Sequence, residues 1–401
     1  MKKTFCFFIL SFLYLNLFAQ NIEPKPLDEG MENHVQSIIL ANQVNDFFES
    51  GNIKIGSFYI GDVLRFLSFN PVEGARIRLG GGLNLDNGFS VNAFGAVGTK
   101  DKQFKYSVDA SYRFSIASNV QNTVTITHCD NTYLAYLSSY DHILNSLWSD
   151  TNFFMMKIKM YGINNSTNFL FETSKLKIDA GVSRNSKWKV QTEEGKKGIV
   201  PTKANFIYPT LQFSWSQRSD DAAQRVIVSR YRQFENSVSL LTAGEFFVWD
   251  DDVSDRFRII LSGQKRIPFS DYRYGCLDLA FDAGFISKDV SRGGLFYPIT
   301  QIGYVSRSYI FLLAPYYRFA NTEYASVIMG LNSGGMILNN IDFFRKFHGN
   351  EFLTFKTYFS EYDPYYEVSF GVDNILNLLG FELAYSSLNK FGAFLRLKVS
   401  F

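Results

Sequence analysis

The sequence has 401 residues with 40 Lys and Arg against 38 Asp and Glu, a net charge of +2. A nucleic-acid binder concentrates basic residues on one face, and no such block is visible. Aromatic residues reach 17%, with 41 Phe and 23 Tyr, which is more large ring surface than a soluble domain exposes without burying it. A chain of this length would ordinarily divide into two or three soluble domains, yet it has only 9 Pro, no Gly/Ser tract and no charge run that marks a boundary.

The first elements concern targeting. Lys2 and Lys3 form a positive start, Phe5 to Leu15 an apolar stretch, and Leu17-Phe18-Ala19 a cleavage region before Gln20. Residues 1–19 therefore read as a cleaved Sec-type signal peptide, too short for a stable span. Cys6 lies inside the apolar stretch, away from the cleavage site, so no lipid-anchored start is expected. Cys129 and Cys276 remain of the 3 Cys, too few for a disulfide framework; they form one bridge or stay as two thiols. Beyond the signal no stretch reaches the ~18 uninterrupted apolar residues of a membrane helix. The best, Tyr309 to Tyr317, is short and contains Pro315.

Residues 20–50 form the next segment, expected to be periplasmic. Within it Val35, Ile38, Val44, Phe47 and Phe48 recur at near-helical spacing. They predict a short amphipathic helix at the mouth of the following domain or plugging it, with a linker as the alternative.

From residue 51 to 401 the period changes to two. In "QFKYSVDASYRFS", Phe104, Tyr106, Val108, Ala110, Tyr112 and Phe114 alternate with Lys105, Ser107, Asp109, Ser111, Arg113 and Ser115. Successive side chains on a strand point to opposite faces, so one face is oily and the other charged. The pattern returns in "KLKIDAGVS", "PTLQFSWS", "DRFRIILSG", "LDLAFDAGF" and "YYEVSFGVDN", with turn-rich spacers such as "QTEEGKKG" and "WDDDVSD" between. Segments of about ten alternating residues separated by turns are the signature of a transmembrane antiparallel β-barrel. A soluble β-sandwich also alternates. The runs here are long, their aromatics sit in the apolar register, and Lys, Asp and Arg stand in mid-strand, which favours the barrel. At roughly 20–25 residues per hairpin, the length allows about 14–16 strands, an even number. The oily face then meets lipid, and the charged face looks into a polar lumen.

The end of the chain, "FGAFLRLKVSF", sets Phe391, Ala393, Leu395, Leu397, Val399 and Phe401 on one face and closes on an aromatic residue. It resembles the terminal strand by which the outer-membrane assembly machinery recognises its clients, and it implies that the chain stops at the periplasmic rim.

The stretch Gly51 to Asn84 contains Asn70-Pro71-Val72-Glu73-Gly74 followed by Arg76, Arg78, Leu79, Gly80 and Gly81. It resembles the opening strands of the domain-of-unknown-function family 5686, a barrel family of diderm bacteria in which the barrel usually follows a carboxypeptidase-like regulatory domain. "NNIDFFRKFHGNEF" and "YYEVSFGVDNILNLLGFELAY" are further similar blocks. Through its last strands that family is distantly similar to BamA-type surface-antigen barrels. The resemblance implies an outer-membrane barrel. The regulatory domain, periplasmic repeats and the Arg-Gly loop signature are not matched here; Ser291 to Phe296, "SRGGLF", fits that signature poorly.

Site candidates follow from the polar register. Glu73, Arg76 and Arg78, with Asp109, Arg113, Glu367 and Arg396, are expected to form a lumen charge set, chiefly as ion pairs that lock the wall, since buried ions are tolerated only when paired. Asp250, Asp251, Asp252 and Asp255 lack the glycine and distal glutamate of a calcium loop and read as an exposed loop. Among the four histidines, His34, His128, His142 and His348, only His142 invites a catalytic reading, beside Asp141 and near Ser138 and Ser139. Adjacent residues on an extended chain face apart, which spoils a triad. Alternating strand directions back from the C-terminus puts Phe343, Phe344, Arg345, Lys346 and Phe347 in a long periplasmic turn, a docking segment for a periplasmic partner or for the N-terminal helix.

The sequence thus predicts a non-catalytic outer-membrane barrel needing no cofactor or metal, with lipid, lipopolysaccharide and, during biogenesis, the assembly machinery as its partners. Its role is an envelope scaffold or passive small-solute channel; alternatives are an assembly or translocation barrel and, more remotely, a barrel hydrolase.

Overall fold

The computed structural model describes residues 53–61, 66–70, 73–85, 87–134, 155–190, 203–217, 236–247, 255–269, 275–287, 295–296, 298, 300, 310–315, 319, 321–342, 349–360, 364–375 and 379–397. The expected N-terminal helix lies outside them.

One antiparallel sheet holds every strand. In chain order these are β1 (Ile53–Ile55), β2 (Phe58–Gly61), β3 (Leu67–Asn70), β4 (Gly74–Asn84), β5 (Phe89–Gly98) and β6 (Phe104–Ala117). Then come the longest, β7 (Val120–Leu134), β8 (Met155–Leu170), β9 (Ser174–Val190) and β10 (Lys203–Gln217). The series continues with β11 (Ser237–Phe247), β12 (Arg256–Pro268), β13 (Cys276–Ile286) and β14 (Glu323–Asn332). It ends with β15 (Asn350–Phe359), β16 (Tyr365–Ile375), β17 (Leu379–Ser386) and β18 (Phe391–Leu397). From β3 onward each strand pairs with the next. β2 and β3 pair with the two ends of β4 and act as one broken stave, while β1 folds back on β2. Among the described residues, the eighteen strands thus make sixteen staves, within the expected range.

The alternation in the sequence becomes an inside-out wall. Phe104 is 63% exposed and its neighbour Lys105 is 0% exposed. Val108, Tyr112 and Phe114 are likewise exposed on β6, and Ser107 is buried. On β11, Val238, Leu240 and Phe246 face outward while Ala243 and Glu245 are hidden. On β16, Tyr366, Val368 and Phe370 are exposed against buried Tyr365, Glu367 and Ser369. A soluble domain places these registers the other way round. The molecule is a barrel whose outer solvent is hydrocarbon, where a closed antiparallel sheet leaves no backbone group unpaired.

Strand direction fixes two rims. β18 runs toward one, called here the C-terminal rim, and alternation assigns to it the tight turns at Leu85 to Gly88, at Ser118 and Asn119, and at 171–173. Gly88 sits in the left-handed region at φ +86°, and a Cβ there would come 2.2 Å from the Arg113 carbonyl oxygen, so the turn requires glycine. At the opposite rim, between β13 and β14, lies the connection 287–322, part of which folds into the lumen.

Replacing outward, mid-band Leu261 by Arg is expected to lower folding stability in lipid vesicles by about 2–4 kcal/mol. The inward Gln264→Arg change on the same strand should cost less than half of that. Reversible urea unfolding of the two variants checks the orientation of the wall.

Candidate functional site

The inner face of β15, β16 and β17 carries Lys356, Glu367 and Glu382. The β15–β16 register sets Lys356 directly opposite Glu367. Lys356 Nζ lies 2.9 Å from Glu367 Oε1 and 3.6 Å from Glu382 Oε1. All three side chains are buried. Burying charge is costly unless each ion is paired and hydrogen-bonded, and one cation here faces two carboxylates. Donors offset the surplus negative charge. The Tyr365 hydroxyl donates to Glu367 at 2.9 Å, and the Ser369 hydroxyl donates to Glu382 at 2.5 Å and contacts the Thr354 hydroxyl.

The remaining donors come from the lumenal strap, residues 310–315 of the connection between β13 and β14. The Leu312 amide donates to both oxygens of Glu367, at 2.9 and 3.0 Å, and the Leu313 amide to Oε2 at 2.9 Å. Charge-assisted bonds of this kind are shorter and stronger than neutral ones. Because they use the backbone, Glu367 grips the strap whatever side chains positions 312 and 313 carry.

Packing completes the latch. Phe311, Ala314 and Phe319 form a buried cluster with Tyr358 and Tyr365. Ring centroids lie 5.7 Å apart for Phe311–Tyr365 and 5.1 Å for Phe319–Tyr365, within the range of favourable aromatic pairs. Ile310 and Leu312 pack on Ala384, joined by Leu313 and Phe394. A Cβ at Gly392 would stand 2.8 Å from Leu313 Cδ2, so the absent side chain lets the strap approach β18. Nearer β13, Phe296 lies under the Arg258 guanidinium at 5.2 Å and against Tyr324, whose hydroxyl donates to Asp282 and whose ring stacks on Tyr358. The arrangement is chemically a holding device: a carboxylate grips a backbone segment, and aromatic rings cover the grip.

A second cluster occupies the β3–β4 turn. Glu73 forms an ion pair with Lys105 at 2.8 Å and accepts from Arg76 at 3.3 Å; Lys105 also donates to Asp101 at 2.5 Å, and Arg76 donates to Asn131 at 2.8 Å. The turn is thereby tied to β6 and β7. Lys105 and Asp101, which the sequence reading left out of its set, are central to it.

The sequence-derived residues distribute as follows. Glu73 and Arg76 meet in the turn cluster, and Glu367 lies in the strap latch. Arg78 places its guanidinium 3.6 Å from the Phe94 ring centroid. Asp109 accepts from the Thr127 hydroxyl at 2.6 Å. Arg113 occupies the same inward register nearer the C-terminal rim and is exposed. Arg396 holds an inward register position opposite Gly380. Phe391 and Leu395 are exposed on the outer face and Leu397 shares their register; Val399 and Phe401 lie outside the described residues. Also outside them are Phe343, Phe344, Arg345, Lys346 and Phe347, Ser138, Ser139, Asp141 and His142, and Asp250, Asp251 and Asp252. Asp255 accepts from the Phe247 amide, and His128 stacks on Tyr161 on the outer wall. Cys129 and Cys276 are free thiols.

Sequence reasoning missed Lys356, Glu382, Tyr365, the strap, and the bidentate Arg266–Asp278 pair at 2.6 and 2.7 Å. A lone Lys in "FLTFKTYF" and a lone Glu in "GFELAY" were the available signals. Their meeting depends on a register the sequence does not state.

No family model matches the chain, so the resemblance to family 5686 gains no support there, and no curated protein matches it. Solved barrel structures do. BamA from Haemophilus ducreyi lacking POTRA domains 1–3 is 11% identical with a TM-score of 0.46, covering 82% of this chain and 67% of that one. CdiB from Acinetobacter baumannii is 9% identical with a TM-score of 0.42; this chain spans 58% of its length.

Leaving one buried charge of the latch unpaired should cost about 3–5 kcal/mol. Lys356→Met and Glu367→Gln are each expected to destabilise the protein, and the double variant should lose clearly less than the sum. A double-mutant cycle by urea unfolding in vesicles measures the coupling.

Proposed function

We propose that the chain is an integral outer-membrane β-barrel of a diderm bacterium, exported with residues 1–19 removed, that acts as a non-catalytic envelope scaffold with a stoppered lumen. Several features support the location: the exposed apolar register around the wall, tight turns on the C-terminal rim as expected of a periplasmic side, and an aromatic-rich last strand suited to the assembly machinery. On this reading lipid and lipopolysaccharide surround the barrel. The observation that carries the stoppered state is the strap bound by Glu367 inside the lumen. A passive channel needs water-lined space through its interior. Here hydrophobic rings and a hydrogen-bonded ion group occupy the lumen beside β13 to β18.

A second reading is assistance to proteins entering or crossing the membrane, which requires a lumen or wall that can open.

In planar bilayers the wild-type protein is expected to be largely silent, while Glu367→Ala, which frees the strap, should give frequent openings. Steady large conductance from the wild type would overturn the stoppered scaffold. Accumulation of misassembled outer-membrane proteins on depletion would select the second reading instead.

A further inference from the structure

The connection after β14 takes an unexpected path. On β15 the inward register is Asn350, Phe352, Thr354, Lys356 and Tyr358; Glu351 therefore belongs to the outward register with Leu353 and Phe355. A carboxylate on the outer wall at the edge of hydrocarbon is expensive, yet Glu351 is only 3% exposed. The connection covers it. The amides of Ile337 and Leu338 both donate to Glu351 Oε1, the latter at 3.1 Å. Ser333 is fastened to the Glu351 carbonyl through its amide and its hydroxyl, each at 3.1 Å. A Cβ on Gly349 would stand 4.0 Å from Leu338 Cδ1 and 2.9 Å from Val372 Cγ1, and Val372 lies in the outward register of β16. The segment 333–342 is thus a flap against the outside of the barrel at its C-terminal rim.

The flap's free surface carries three large apolar side chains beside exposed Asn340 and Asp342. Ile337 is 65% exposed, Met336 54% and Ile341 48%. Along the same wall Leu331, Leu353 and Phe370 form one exposed row, and Leu353 stands two residues from the Glu351 that holds the flap, so the lipid-facing band leads to the flap. That continuity identifies the occupant. A lipid leaflet that covers Leu353 and Phe370 also reaches Ile337, whereas a flap made for water would turn these side chains in.

We propose that residues 333–342 are a membrane-interfacial anchor that inserts Met336, Ile337 and Ile341 at the boundary between acyl chains and headgroups, with Glu351 as its latch. The inference rests on the barrel reading above, and the leaflet is then the periplasmic one, made of phospholipid. Apolar side chains at this depth gain from burial while the polar backbone stays near the headgroups. The short 3-10 turn Leu338–Asn340, closed by Asn340 donating to the Met336 carbonyl at 2.6 Å, satisfies part of that backbone locally. The anchor would fix the height of the barrel and its rotation in the membrane at one point of the rim.

Nitroxide labels at Ile337→Cys and Ile341→Cys test this in full-length protein folded into phosphatidylethanolamine/phosphatidylglycerol vesicles, with Leu353→Cys as the lipid-facing reference and Lys390→Cys as the aqueous one. Cys129 and Cys276 are buried and should stay unlabelled. The ratio of collision with oxygen to collision with a water-soluble nickel chelate should be several-fold higher at positions 337 and 341 than at 390, approaching that at 353. Adding Glu351→Ala should move the two flap labels toward the aqueous value and leave 353 unchanged. If 353 reads lipid while both flap labels read water, or are shielded from both reagents as in a protein contact, the anchor is refuted and the barrel stands. If 353 itself reads water, the barrel reading fails.

Discussion

Backbone hydrogen bonding is the constraint on which everything else depends. A strand in hydrocarbon cannot pass its amides and carbonyls to water, and each unpaired group costs several kcal/mol. Pairing each stave to the next answers that requirement for the wall and fixes side-chain placement at once. With every residue alternating in or out, Phe104 must face lipid if Lys105 is to face the lumen. The low mean charge and the abundance of Phe and Tyr follow from the same geometry, since half of each long strand has no aqueous neighbour.

The lumen poses the complementary problem. Its charged register sits in a partly dry space, so charges there must find one another. They do so in local sets: Glu73 with Lys105 and Arg76 at a turn, Arg266 with Asp278 near the C-terminal rim, and Lys356 with Glu367 and Glu382 behind the strap. The last set differs in kind because its carboxylate also takes two backbone amides from a distant part of the chain. A wall that only needed neutral pairs would not require that. Strap and wall are coupled through Glu367, and what displaces the strap must also leave Lys356 with an altered partner.

Two segments brace the wall from opposite sides. The strap packs inside, over Gly392 and Phe394 of β18, and the flap latched by Glu351 lies on the outside of β15 and β16.

The period of two, the aromatic register and the turn-rich spacers were enough to determine an antiparallel barrel of about this size, because they report which faces of each strand meet which solvent. Glu73, Arg76 and Glu367 stood out as charges among the candidate residues for the same reason, and all three are buried. Pairing was not. Lys356 meets Glu367 only because β15 and β16 align at that step, and Lys105 meets Glu73 across a turn and two strands. The strap was hidden because its residues, Ile310 to Ala314, carry neither helical nor strand periodicity; their place is set by the carboxylate and rings they contact. Glu351 illustrates the limit from the other side: by parity the sequence assigns it to the lipid face, and only the fold of 333–342 around it explains how a charge survives there.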